Sequence, residues 1–225
     1  MDNTQNTTIN TENAFSISDF EKRARQFLSA DVPKIDHQSL PKVLGDHQLN
    51  PDLHPALIPQ IKYVAAVLIP VISRPHGPCI IFTKRSEDLP HHPGQISFPG
   101  GIAQSQDHNL LTTALREANE EIGLHETSCR TIGYLDPYLT VTGFCITPVV
   151  GLIERDFVAK IDPKEVANVF DVPLAFLMSS ANHQKHSLSW QGKVRYYHAM
   201  PYKNHYIWGA TAGILHSLYE RLYHL

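Results

Sequence analysis

The sequence predicts an α/β fold in which one mixed β-sheet carries helices on its faces. Three observations lead there. Strand-like segments come in adjacent runs broken by helices, the pattern of a layered sheet. Residues 64–72 (V-A-A-V-L-I-P-V-I) are almost continuously apolar and rich in Val and Ile, which suits a strand buried on both faces. Two stretches have helical amphipathic spacing: 109–122, and a C-terminal one with Ile214, Leu215, Leu218 and Leu222 on one face.

Taken in order, residues 1–15 are rich in Asn, Thr and Gln. They bury too little apolar surface to offset ordering entropy, and a disordered tail is expected. Ser18 with Glu21 three residues on reads as a capping box. The helix it opens places Phe20, Ala24, Phe27 and Leu28 on one face. With the Pro- and His-rich text that follows, it makes a helix-and-wrap segment over 16–55. The main domain is expected at 56–225. Within it, 64–72 and 79–83 are strands joined by the turn R-P-H-G-P. Residues 84–95 (K-R-S-E-D-L-P-H-H-P-G-Q) form a polar loop, and a loop that long in a compact domain is usually functional or disordered. Strands are expected at 131–135 and 145–153 around a loop, with a shorter one inside 164–175. Residues 188–190 and 194–200 flank Gln191-Gly192 as a hairpin, and 206–208 is the last strand.

At 225 residues the chain fits one domain with an extension, or two small ones. A net charge of −3 supplies no basic field for nucleic acid or an acidic membrane surface. Cys79, Cys129 and Cys145 are an odd count without a C-x-x-C, as in reduced, buried thiols. The longest apolar run is too short to span a bilayer, and the termini show no secretory, transit or peroxisomal pattern. The expectation is a cytoplasmic protein acting on a small molecule; a homodimer is compatible with it.

The chemistry concentrates in 94–124. Pro99-Gly100-Gly101 allows a turn and close approach of backbone to a ligand. On the helix that follows, Leu111, Leu115, Ala118 and Ile122 form an apolar stripe. Glu117, Glu120 and Glu121 fall at i, i+3 and i+4, where all three can converge on a hard cation such as Mg2+. Asp107 sits where an acid is favoured by the helix dipole and can cap; Gly123 is placed to end the helix left-handed. The competing reading is a solvated amphipathic helix. Against it, adjacent like charges repel, and only Arg116 is locally available to offset them.

The stretch G-G-(x5)-D-(x8)-R-E-A-N-E-E-I-G-L closely resembles the Nudix box, G-x5-E-x7-R-E-U-x-E-E-x-G-U with U aliphatic. Arg116, Glu117, Glu120, Glu121, Gly123 and Leu124 all correspond. Asp107 replaces the first glutamate, the spacer to Arg116 is one residue longer, and Ala118 is smaller than the usual aliphatic. Residues 81–101 (I-F-T-K-R-S-E-D-L-P-H-H-P-G-Q-I-S-F-P-G-G) resemble the upstream signature of the subgroup that hydrolyses coenzyme A, as do D-P-Y-L-T-V-T-G-F, V-F-D-V-P-L and G-A-T-A-G-I-L downstream. The resemblance covers roughly 61–215.

This resemblance implies a Nudix-like α/β/α sandwich with a catalytic loop-helix. It implies metal-dependent hydrolysis of the diphosphate bond of coenzyme A or an acyl derivative, with Mg2+ or Mn2+ as cofactor. The alternatives are a Nudix hydrolase of another nucleoside diphosphate derivative such as ADP-ribose, or a non-catalytic Nudix-like binder. Glu117, Glu120, Glu121 and the Gly101 carbonyl are the implied metal ligands. Arg116 orients a neighbouring glutamate, and Glu165 is the candidate downstream base or extra ligand. Lys84 and Arg85 are candidates for the substrate's 3′-phosphate. His92 and Gln95 touch substrate or brace the loop. Phe98 and Phe144 stack on adenine or pack in the core, and 140–143 line a pantetheine channel.

Overall fold

The computed structural model describes residues 15–35, 44–50, 60–154, 156–190 and 192–224. Nearly all of the expected tail, much of the wrap, and Gln191 of the hairpin lie outside them.

The centre of the sheet is β2 (Tyr63–Arg74) beside β8 (Phe144–Ile153), parallel from Tyr63↔Phe144 to Ile72↔Ile153. β3 (Gly77–Arg85) pairs antiparallel with the far half of β2, and β9 (Val166–Pro173) with β3. Two-residue β4 (Ile96–Ser97) pairs with β3, and β5 (Gly100–Ile102) with the near half of β2. On the other side β6 (Cys129–Tyr134) and β7 (Tyr138–Leu139) pair antiparallel with β8. β1 (Leu44–Gly45) runs parallel to β7. The sheet is therefore mixed. β6 covers 129–134, where 131–135 was expected, and β7 occupies the expected loop after it.

Side chains alternate across each strand, so the two faces can be read from the core. Ile69, Val71, Ile80, Phe82, Val150 and Leu152 face α1 (Ile17–Phe27) and α4 (Ala210–Leu222). Ala66, Leu68, Ile72, Cys79, Ile81 and Val149 face α2 (Leu110–Ile122). Helices on both faces of a mixed sheet are the expected α/β/α layering. β9 leads into short α3 (Leu174–Leu177). A separate antiparallel sheet, β10 (Gln184–Trp190), β11 (Lys193–Tyr202) and β12 (His205–Trp208), includes the expected hairpin.

The N-terminal helix belongs to this core. Its cap is Ser16, whose Oγ accepts from Asp19 N at 3.1 Å, rather than Ser18. Phe20 and Ala24 are fully buried, and Arg23 donates to the Leu222 carbonyl of α4 at 3.0 Å. Asn50 clasps an edge of β11, donating to Tyr196 O (3.0 Å) and accepting from Tyr196 N (2.8 Å). Phe20→Ala is therefore expected to cost about 3–5 kcal/mol, the scale for emptying a buried Phe site. Urea denaturation checks this, and a loss below 1 kcal/mol would mean that α1 is only loosely docked.

Three histidines meet where β11 and α4 pack. His183 Nε2 donates to the Leu177 carbonyl (2.7 Å), which leaves its Nδ1 to accept from His216 Nδ1 (3.0 Å) when both rings are neutral. His198 stacks on His216 at 4.1 Å. Burial, with His216, His183 and Lys185 nearby and only Glu220 opposing, pushes the His198 pKa down to about 4. A depressed pKa means that the unfolded chain takes up the proton first. The contribution is present above the ordinary histidine range and lost as pH falls from about 6.5 toward about 4. Urea midpoints should fall across that window, and less steeply in His198→Gln.

Candidate active site

β5 hydrogen-bonds beside β2 (Ala66↔Gly101, Val67↔Gly100) and delivers the chain to the start of α2. The cap of α2 is Asn109, whose Oδ1 accepts from Thr112 N at 3.0 Å; Gly123, at φ 71°, ends the helix left-handed as expected. The expected capping role of Asp107 is corrected. Its carboxylate accepts instead from Gln104 N (2.9 Å), Thr113 Oγ1 (2.9 Å), Arg116 Nε (3.0 Å) and Arg116 Nη2 (3.0 Å). The Asp107 side chain is 2% exposed. The two-point Arg116 contact, helped by the Gln104 and Thr113 bonds, holds its carboxyl far below the usual carboxylate range despite burial.

From this anchor Arg116 reaches the acids. Its Nη1 donates to Glu117 Oε1 at 2.8 Å and to Glu120 Oε2 at 2.9 Å. Glu117 is half-buried against Gly101, where a Cβ would stand 2.5 Å from the Glu117 carboxyl carbon and would push the carboxylate from its present place. Burial raises the Glu117 pKa, with Arg116 opposing. Glu121 is buried at 2% exposure. A Gly100 N–H bonds its carboxylate, but Oε2 has no partner among the described residues. Burial first, then the charges of Glu117 and Glu165, push its pKa up to about 8.

Glu117, Glu120 and Glu121 all lie on α2, as expected. Among the described residues no three His, Cys, Asp or Glu side chains are gathered closely enough to hold an ion. Arg116 draws Glu117 and Glu120 to itself, while Glu121 turns inward under the sheet. The apolar stripe packs as expected, Ala118 and Ile122 fully buried and Leu111 and Leu115 half-buried against the same cluster, with Ala114 buried beside them. The acids still fit a divalent cation by chemistry. Glu117 and Glu121 resist ionisation together, one buried carboxylate oxygen lacks a donor, and oxygen ligands are what a hard cation takes.

The other expected residues fall at varied positions. Lys84 and Arg85 end strand β3 instead of opening the loop. Lys84 pairs with Glu87 at 2.9 Å. Arg85 lies within electrostatic reach of Glu121, and its Nε is buried without a hydrogen-bond partner among the described residues. Glu165 is exposed just before β9, its charge felt by Glu117 and Glu121. His92 is exposed and left-handed (φ 56°), an uncommon conformation for a residue with a Cβ. Its carbonyl accepts from Gln95 N at 3.3 Å. Of its two expected roles Phe98 takes the core one and not adenine stacking: it is 2% exposed and stacked on Phe82 at 5.0 Å, with no free face for a base. Phe144 packs tilted against Tyr63, ring centres 4.8 Å apart. Thr140 Oγ1 is engaged with Thr142 (2.9 Å) and Phe144 N (3.0 Å), bracing its own turn. Sequence reasoning missed the Asp107–Arg116 clasp, because a separation of nine residues follows no helical period.

The family model described as the NUDIX domain matches residues 62–186, more than half of the chain, and takes in β2, β5 and the whole of α2. The chain belongs to the Nudix family. Curated relatives agree. This Nudix chain is 37% identical over 158 residues to an uncharacterized Nudix hydrolase NudL of Photorhabdus laumondii, covering 70% of this chain and 84% of the relative. Proteins of the same description from Cronobacter sakazakii (40% over 165 residues, 68% and 80% covered) and Pectobacterium atrosepticum (38% over 182 residues, 76% and 87% covered) are similar. It is a hydrolase of diphosphate bonds in nucleoside diphosphate derivatives, and enzymes of the family generally use divalent metals such as Mg2+ or Mn2+. Among the described residues no helix is long and apolar enough to cross a membrane.

Proposed function

We propose that this Nudix hydrolase cleaves the diphosphate bond of coenzyme A or its acyl derivatives, releasing 3′,5′-ADP and 4′-phosphopantetheine or its acylated form. The observation that supports the substrate is the seating of 86–95, the loop with the L-P-H-H-P-G-Q phrase. It is pinned at both ends beside the acids: Arg85 N donates to Gln95 O (2.9 Å), and Ser86 N donates to Glu165 O (2.8 Å). The phrase therefore closes onto Arg85, and the loop that carries it starts beside the exposed Glu165.

Glu117, Glu120, Glu121 and the Gly101 carbonyl would hold Mg2+ or Mn2+, which when bound offsets diphosphate charge and lowers the pKa of a water ligand. The residues then divide the work. The Arg85 guanidinium, with its buried Nε unpartnered, faces the anionic bridge. Glu165 accepts the proton of the attacking water. The water oxygen forms a bond to one phosphorus as that phosphorus loses the bridging oxygen, which departs on the other phosphate. Arg116, fixed by Asp107, keeps Glu117 and Glu120 oriented. Phosphorus NMR of coenzyme A with Mg2+, beside ADP-ribose, tests this. Loss of the diphosphate resonances and appearance of two phosphomonoester products from coenzyme A is the expected result. Cleavage of ADP-ribose with coenzyme A untouched would overturn the substrate.

A further inference from the structure

We propose that the cavity between the ends of β3, β9 and β12 binds the 3′-phosphoadenosine half of the substrate, an inference that rests on the coenzyme A reading. The cavity measures about 710 Å³, within the range of pockets that enclose a small ligand. Three kinds of group converge on it.

The first is a braced aromatic wall. Tyr206 and Trp208 line the cavity from β12. The Tyr206 hydroxyl is hydrogen-bonded to His186 Nδ1 (2.8 Å) and to the Tyr197 hydroxyl (3.2 Å), while Trp208 packs edge-on against the Tyr197 ring at 5.4 Å. Rings held this way lose little freedom when a base stacks on them, and every base has a face that an aromatic side chain can take. The second is a set of side-chain amides, Gln95, Asn168 and Asn204. Each offers a donor and an acceptor, the pair that an adenine edge presents in complement. The third is one cation, Lys84, whose present partner Glu87 is largely exposed. An ion pair in that setting is weak and can be exchanged for a phosphate. A flat heterocycle with one added phosphomonoester meets all three.

The strand register ties the cavity to the acids. Lys84 opposes Asn168, and its neighbour Arg85 opposes Val166, the residue after Glu165. Consecutive strand residues point to opposite faces. The pairing skips Ala167 as a bulge; Lys84 lines the cavity while Arg85 acts on Glu121, so the two sites share one strand end. Asn204, Tyr206 and Trp208 lie beyond residue 186, where the family match stops.

The chain has two tryptophans, so Trp190→Phe leaves Trp208 as the only indole reporter. That variant, without metal, is titrated with 3′,5′-ADP, 5′-AMP and 4′-phosphopantetheine, and calorimetry on the unmodified chain repeats the comparison. 3′,5′-ADP should change Trp208 emission saturably and bind about tenfold more tightly than 5′-AMP, the scale of one charge-assisted hydrogen bond. Lys84→Met should erase that difference. No saturable binding of 3′,5′-ADP, an affinity unchanged in Lys84→Met, or tighter binding of 4′-phosphopantetheine would each overturn the assignment. Turnover is not involved. Coenzyme A hydrolysis with indifferent Lys84→Met binding sinks the pocket alone, whereas 3′,5′-ADP binding without coenzyme A hydrolysis sinks the substrate reading alone.

Discussion

Glu120→Gln loses about 10²-fold or more in turnover, the scale of removing one charged group that stabilises a transition state, and it keeps its fold. The reasoning joins two observations. The Glu120 side chain is 55% exposed and, among the described residues, is paired with Arg116 Nη1 at 2.9 Å, so the amide replaces an exposed ion pair of small worth. Glutamine keeps the length and removes the charge that a divalent ion would need. Glu120 is also the acid most easily released from Arg116, since Glu117 is half-buried against Gly101 and Glu121 lies beneath the sheet. A raised Mg2+ requirement should accompany the lost rate, with the thermal midpoint within a degree or two of the parent. Initial rates across a Mg2+ series decide it, and a near-parental rate at every Mg2+ concentration would remove Glu120 from the metal set.

Arg116→Met destabilises the chain by about 3–5 kcal/mol, as expected when one partner of a buried ion pair is removed and the other stays behind. Arg116 is the cationic partner of Asp107, Glu117 and Glu120 together. Asp107, with its side chain 2% exposed, cannot recover its hydration in the folded state. A drop of roughly 10 °C in thermal midpoint follows for a chain of this size. The same clasp sets an acid limit. Because the Asp107 carboxyl titrates well below its ordinary value when folded, its contribution is complete above about pH 4 and lost as pH falls further. Urea midpoints measured from pH 7 to pH 3 should therefore decline, and Asp107→Asn should start lower and decline less. If Arg116→Met melted with the parent, the clasp would be a surface contact.

Features decided by neighbours a few residues away were legible in the sequence. Helical spacing put Glu117, Glu120 and Glu121 on one helix with Gly123 as its left-handed end, because one turn brings i, i+3 and i+4 together whatever surrounds it. The apolar 64–72 run announced a doubly buried strand, and the Nudix pattern announced the chemistry. The fold class followed from the same local signals.

Features decided by distant neighbours were not legible. Phe98 carries no mark that separates a core ring from a stacking one; it is a core ring because β4 lies on β3 and sets it against Phe82. Asp107 looked like a cap, and is a clasp because the turn before α2 folds it back onto Arg116. How the three glutamates are held was not legible either: Arg116 holds two of them and burial takes the third. Cavity walls from 84, 168 and 204–208 come together only through the pairing of β3 with β9 and the return of β12. Sequence spacing fixes direction along one element, by chain geometry alone. Which face that direction meets depends on burial and charge partners brought in by other elements, and those belong to the tertiary structure.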